Sequence, residues 1–216
     1  MKNLFAKFPA LKTIGKPVRS FFRTGFGKYK LMWNSRSDDL KIIVGSSGTA
    51  YPGWVITDLE YLNLLIPSDW ERAFRRDSIK AILAEHVWEH LSLQDGLVAA
   101  KQCWDYLKPG GHLRLAVPDG FNPSEKYIDY VKVGGSGDGA DDHKVLYDKN
   151  SMGKLLIDAG FEIDLLEYFD EEGQFHYKDW ELEAGLITRS RRLDPRNVDG
   201  KLNYTSLIVD AIKPLH

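Results

Sequence analysis

The sequence predicts an α/β protein built on a mostly parallel sheet with helices on both faces. Three observations predict it. Short apolar, β-branched runs recur from residue 40 onward. They alternate with segments of helical period, as in successive βα units. The runs end at a glycine or an acid, the residues that leave a buried strand.

The elements follow in order. LKIIV (40–44) is a buried strand stopping at Gly45, and GWVITD (53–58) is a second, introduced by Pro52-Gly53 and stopping at Asp58. LNLL (62–65) is a further short candidate. PSDWERAFRR (67–76) opens with proline and an acid and ends basic, which suits a short helix. KAILAE (80–85) is the next strand. Ser92 and Asp95 have capping-box spacing, and Leu93, Leu97, Ala100, Trp104 and Leu107 form one helical face that Lys108-Pro109-Gly110-Gly111 ends. HLRLAVPD (112–119) is a strand. Met152, Leu155, Leu156 and Ala159 mark a helix closed by Gly160. FEIDLLEYF (161–169) and LNYTSLIVDAIK (202–213) are the last strands.

The 216 residues suit one sizeable domain, 43% hydrophobic and 28% charged. A lone cysteine, Cys103, excludes an internal disulfide framework and any multi-cysteine zinc site, and fits a reducing cytoplasm. No apolar run is long enough to span a bilayer, and recurring basic residues leave no signal-peptide core. Residues 1–37 form a separate N-terminal extension with nine of the 29 Lys/Arg residues and no acid. The rest of the chain is left with 20 basic against 31 acidic residues. Seven aromatics are interleaved there: Phe5, Phe8, Phe21, Phe22, Phe26, Tyr29 and Trp33. Such an arm can bind an acidic partner or a polyanion, nucleic acid or anionic lipid, or dock on its own acidic body. The need to bury the aromatics favours docking.

In open α/β sheets ligands bind beyond the carboxyl ends of the strands. Four strand ends therefore carry the chemistry: Gly45-Ser46-Ser47-Gly48, Asp58, Glu85-His86 and Asp119-Gly120. Small residues after the first strand let a backbone approach a ligand and donate N–H groups. Asp58 is placed to accept two hydrogen bonds from a ribose diol. Glu85-His86 can meet an adenine edge or a substrate.

With LKIIVGSSG, PGWVITD, ILAEHVWEHL and YLKPGGHLRLAVPD taken together, residues 40–119 resemble a class I S-adenosylmethionine-dependent methyltransferase. GADDHKVLYD, LLIDAGFEIDLLEYFD and LNYTSLIVDAIK extend the likeness over residues 38–213, toward a bacterial group of predicted methyltransferases without an established substrate. The resemblance implies a Rossmann-like seven-stranded sheet with a last antiparallel strand, residues 38–216 forming the methyltransferase domain, and S-adenosyl-L-methionine as cofactor. It implies that Gly45, Ser46, Ser47 and Gly48 surround the cofactor's amino acid part. Asp58 would bind the ribose, Leu59 and the region near Leu64-Leu65 would flank adenine, and Glu85 and His86 would border cofactor and substrate. The chain departs from the family's G-x-G loop at Ser47, with glycine displaced to Gly48, and has Lys80 where an acid often precedes the fourth strand.

His86-Val87-Trp88-Glu89-His90 also spells H-x-x-E-H, a zinc-hydrolase pattern. Zinc would need His86 and His90 on one helical turn and a third ligand downstream. KAILAE reads as strand and nothing marks a third ligand, so no metal is expected. Val87 and Leu91 should pack inward, with Glu89 and His90 in a short turn.

His143, in DDHK after the glycine-rich GGSGDGA (134–140), and His86 are the candidate catalytic bases. The glycine-rich stretch reads as a lid or substrate loop. FDEEGQFHYKDW (169–180) reads as a substrate-side insertion whose His176 and Trp180 pack. Arg189, Arg191, Arg192 and Arg196 either clamp an anionic substrate or lie on a solvated loop. The expected activity is methyl transfer to a small-molecule acceptor, sugar-like or anionic. A nucleic-acid methyltransferase and a non-catalytic binding module using the arm are the alternatives. The acidic body and the lack of an N/D-P-P-Y/F-type motif count against nucleic acid.

Overall fold

The computed structural model describes residues 39–198 and 200–215, so the basic-aromatic arm lies outside the described residues. Its framework is a seven-stranded sheet. The strands in chain order are β1 (Leu40–Ile43), β2 (Val55–Ile56), β3 (Ile79–Glu85), β4 (Leu107–Val117), β5 (Glu162–Phe169), β6 (Phe175–Tyr177) and β7 (Leu207–Ile212), and their spatial order is β2-β1-β3-β4-β7-β5-β6. β1 pairs in parallel with β2 and β3, and β3 with β4. β7, the last strand in the chain, inserts antiparallel between β4 and β5. β6 returns antiparallel along β5. This is the Rossmann-like architecture expected of the class I methyltransferase fold.

The seventh strand is not the one the sequence suggested. LNLL stays irregular: Leu62 and Leu64 are buried, and the Leu64 carbonyl accepts from the Trp70 indole at 3.2 Å rather than from a neighbouring strand. The count is completed by β6, a hairpin within the predicted insertion. Lys108-Pro109-Gly110-Gly111 does end the helix before it, but the chain passes directly into β4. The register shifts between β3 and β4 across this stretch, from Ile79↔Leu107 to Ala81↔His112. Gly111 permits the bulge, since a Cβ there would lie 2.9 Å from two backbone carbonyls, those of Lys108 and Lys80.

Helices α1 (Pro67–Ala73), α2 (Leu93–Tyr106) and α4 (Lys149–Asp158) share the main core with one face of the sheet. The Ser92 hydroxyl accepts from Asp95 N at the start of α2, as its spacing predicts. The buried face of α2 is shifted from the expected one: Gly96, Ala99, Ala100, Cys103 and Tyr106 point inward, whereas Leu93 is 57% exposed. The helix lies so close to its neighbours that a Cβ on Gly96 would meet Tyr147 Oη at 3.0 Å and Leu155 at 3.2 Å. Small residues therefore take the inner face. Met152, Leu155, Leu156 and Ala159 are buried as their spacing requires, and Asp148 caps α4 with a full capping box. Helix α3 (Glu125–Val131) packs with Tyr204 in a smaller cluster.

Among the described residues the opposite sheet face is covered by residues 178–196, irregular apart from one 3-10 turn, rather than by α-helices. A buried ion pair pins this cover. Arg114 of β4 binds both carboxylate oxygens of Asp210 of β7 at 2.7 and 2.8 Å, and also donates to the carbonyls of Glu181 and Gly185. Trp180 lies over the guanidinium at 4.9 Å, so its expected packing role holds. Asp210→Ala should cost about 3–5 kcal/mol in denaturant unfolding, because it leaves a buried guanidinium without its carboxylate.

Candidate active site

A cavity of about 520 Å³ opens where β1, β3 and β4 end. Its walls include Gly45, Ser46 and Ser47 after β1, Glu85 and His86 at the end of β3, and Pro118 after β4. Glu89, His90, Tyr130, Asp138, His143, Arg189 and Arg196 close the other sides. Of the four strand ends named from the sequence, two line this cavity.

Gly45 is dictated twice over. Its φ is +59°, and a Cβ there would lie 2.6 Å from Val87 Cγ2. The turn it makes brings Ser46 and Ser47 against the end of β2. The Ser46 hydroxyl donates to Asp58 Oδ2 and the Ser47 N–H to Asp58 Oδ1, each at 3.0 Å. Asp58 thus shapes the loop. A carboxylate offers about four lone-pair positions, so two remain for another ligand. Gly48, Asp58 and Leu59 do not line the cavity itself; Leu59 beside them is 73% exposed.

Glu85 lines the cavity but its carboxylate is engaged. It accepts from Thr188 N and Oγ1 and from Arg189 N, holding residues 187–190 over the site. His86 is also engaged. It sits at φ +56°, its Nε2 lies 3.0 Å from Ser206 Oγ, and its Nδ1 lies 2.9 Å from Glu89 Oε1. Ser206 donates its own hydroxyl proton to Arg189 O, so the His86 Nε2–H is the donor in the first contact. The strained turn at His86 leads into a 3-10 turn, Trp88–His90, so the H-x-x-E-H stretch forms no α-helical histidine pair. Val87 and Leu91 pack on the core as expected.

Glu89 was not expected inside. It has no exposed surface; Oε1 lies beside His86 Nδ1, and Oε2 has no hydrogen-bond partner among the described residues. Burial opposes its ionisation, but attraction to the His86 ring outweighs this and holds the carboxyl below its usual range. Tyr51 is a second wall residue the sequence did not single out. Its hydroxyl is buried without a partner, and burial together with the Glu85 charge pushes it up to about 12. Only their burial distinguishes these residues, and local sequence carries no signal of it.

His143 donates Nδ1–H to the Val131 carbonyl at 2.7 Å, leaving the Nε2 lone pair unclaimed by that bond. The glycine-rich stretch before it is wound onto the end of α3 rather than standing off as a lid. A Cβ at Gly135 or Gly137 would strike the Tyr130 carbonyl at 2.7 or 2.6 Å. The four arginines divide. Arg189 and Arg196 line the cavity, with Arg196 held by Asp194 and stacked on Tyr204. Arg191 and Arg192 stack on Tyr177 and Trp180. His176 pairs with Asp170 at 2.6 Å, away from the cavity.

Asp119, one of the four strand ends, proves structural. It is fully buried and accepts from Phe121 N and Phe169 N, tying β4 to β5. Burial pushes its carboxyl up to about 6.

No family model matches the chain, and no curated protein matches it. Among solved structures it is similar to an S-adenosylmethionine-dependent methyltransferase of Thermotoga maritima (12% identity, TM-score 0.49, 94% of this chain and 96% of that one). It is also similar to one of Archaeoglobus fulgidus (11% identity, TM-score 0.46, 88% and 93%). A third similar structure is a Haloferax volcanii complex of the Trm112 methyltransferase activator with a methyltransferase (12% identity, TM-score 0.47, 92% and 93%). At such identities the chemistry has to be read from this chain's own residues. Among the described residues, no helix is long and apolar enough to cross a membrane.

Two predictions follow from this geometry. Gly45→Ala should lower stability by about 1–3 kcal/mol through overpacking. Adding Val87→Ala should recover the steric part and leave the cost of positive φ, as read by denaturant melts of the single and double variants. For Asp119, the folded protein keeps a proton that the unfolded chain releases near 3.8. Its contribution to stability therefore falls as pH rises from about 4 to about 6, by about 3 kcal/mol. Unfolding measured across that window should show the slope in the wild type and a flatter curve in Asp119→Asn.

Proposed function

We propose that the protein transfers the methyl group of S-adenosyl-L-methionine to a small-molecule acceptor. The observation that supports this most is the position of the cavity. It opens where Gly45-Ser46-Ser47 leaves β1 and Glu85-His86 leaves β3, with Asp58 fixed behind the loop. In this reading the loop receives the amino acid part of the cofactor, Asp58 uses its remaining acceptor positions on the ribose diol, and Leu59 offers an apolar surface to adenine.

The chemistry asks little of the protein beyond alignment. An acceptor oxygen or nitrogen attacks the methyl carbon, the carbon–sulfur bond breaks with its electron pair going to sulfur, and S-adenosylhomocysteine leaves. The acceptor loses its proton to a base or to water. Both ring nitrogens of His86 face partners, which leaves His143, through Nε2, and His90 as the cavity histidines that can engage the acceptor. Arg189 and Arg196 give that end of the cavity a positive side that suits an anionic or hydroxyl-rich acceptor.

Calorimetry with S-adenosylhomocysteine tests the reading. The wild type should bind, and Asp58→Ala should weaken binding roughly ten- to a hundredfold, the worth of a charge-assisted hydrogen bond. A wild-type protein that binds neither S-adenosylhomocysteine nor S-adenosylmethionine would overturn it.

A further inference from the structure

We propose that Glu89, His90 and His143 form a binding site for a divalent transition-metal ion inside the cavity. One ligand atom from each side chain lies within 4.8 Å of the others, and all three residues line the cavity. Ligands around a tetrahedral zinc sit roughly 3.4 Å apart, so binding requires only small side-chain movements. The expectation of no metal rested on His86 as the second imidazole. That partner was the wrong one, because His86 faces Ser206 and stands behind Glu89. The second imidazole comes from His143, far along the chain.

Three features point to an ion rather than to a hydrogen-bonded trio. First, Glu89 is a carboxylate with no exposed surface whose Oε2 has no hydrogen-bond partner among the described residues. Oε1 lies 2.9 Å from His86 Nδ1, which leaves Oε2 as the oxygen that can take a ligand. A buried carboxylate with an imidazole beside one oxygen keeps the other for a cation. Second, the Nδ1–H of His143 is committed to the Val131 carbonyl, the second contact by which metal-binding histidines are oriented with Nε2 toward the ion. Third, the two parts of the site are tied together independently of any ion. Lys144 N donates to the Glu89 carbonyl at 2.7 Å, and the His90 and His143 rings meet edge to face at 4.9 Å. The Nδ1 of His90 has no hydrogen-bond partner, with Asp142 Oδ2 at 3.4 Å.

Two imidazoles and one carboxylate favour zinc, iron, cobalt or manganese over magnesium or calcium, which prefer all-oxygen sites. Three protein ligands also leave coordination positions open, and these face the cavity. An oxygen-bearing ligand can complete them; with the ion bound, His143 Nε2 is a ligand, and the acceptor's proton goes to water instead.

The test uses the full chain, without a histidine tag, stripped with a chelator and titrated with Co²⁺ in the absence of any nucleotide. Visible d–d absorption should saturate at one Co²⁺ per chain, and Zn²⁺ should displace it. His90→Ala and His143→Ala should each weaken binding roughly tenfold or more, while His176→Ala leaves it unchanged. Circular dichroism checks that each variant folds, and Glu89→Gln, nearly isosteric, serves as a further variant. Wild-type protein showing no saturable Co²⁺ spectrum overturns the proposal. So do folded His90→Ala and His143→Ala proteins that bind like wild type. Cobalt binding without S-adenosylhomocysteine binding would count against methyl transfer alone, and the reverse against the metal site alone.

Discussion

The chain leaving β1 and the chain leaving β3 meet with no room to spare, and the cavity depends on that contact. Gly45 can turn away from the strand only because it lacks a Cβ that would strike Val87. From that turn follow the Ser46 and Ser47 bonds to Asp58 on one side. On the other, Val87 is held inward, so His86 takes a left-handed conformation and the next turn buries Glu89. A parallel sheet places these strand ends side by side, and the steric fit decides which groups face the space between them.

Buried charge is treated in three ways. Arg114 and Asp210 are paired and fully hydrogen-bonded, and their pairing welds the reversed strand β7 to β4 while holding the cover over the second face. Asp119 is buried with two backbone donors and, among the described residues, no ion pair, and its proton becomes harder to lose. Glu89 has an imidazole beside one oxygen and, among the described residues, no partner on the other. The first two arrangements serve the sheet. The third lies in the cavity wall, where an unsatisfied carboxylate is of use to a ligand.

Much of the fold was legible because strands and helices advertise their periods. LKIIV and KAILAE became β1 and β3, only the later part of LNYTSLIVDAIK became β7, and Ser92 capped its helix where its spacing placed it. What escaped was burial decided by distant partners. Leu62 and Leu64 resembled a strand but serve the core as a loop under Trp70. Arg114 carries no local sign of burial and is among the most buried side chains. The site was legible in its backbone parts, Gly45 to Ser47 and Glu85-His86. It was not legible where residues from far apart converge. Glu85 holds residues 187–190, and His143 reaches Glu89 and His90 from beyond a segment that the glycines suggested was a lid or substrate loop.

The central claim is that the space between these strand ends receives the nucleoside and amino acid of S-adenosylmethionine. A crystal structure of the protein with S-adenosylhomocysteine tests it most directly. The account predicts the homocysteine part against Gly45–Ser47 and both ribose hydroxyls within hydrogen-bond distance of Asp58. A ligand seated elsewhere, or one whose ribose makes no contact with Asp58, would contradict it.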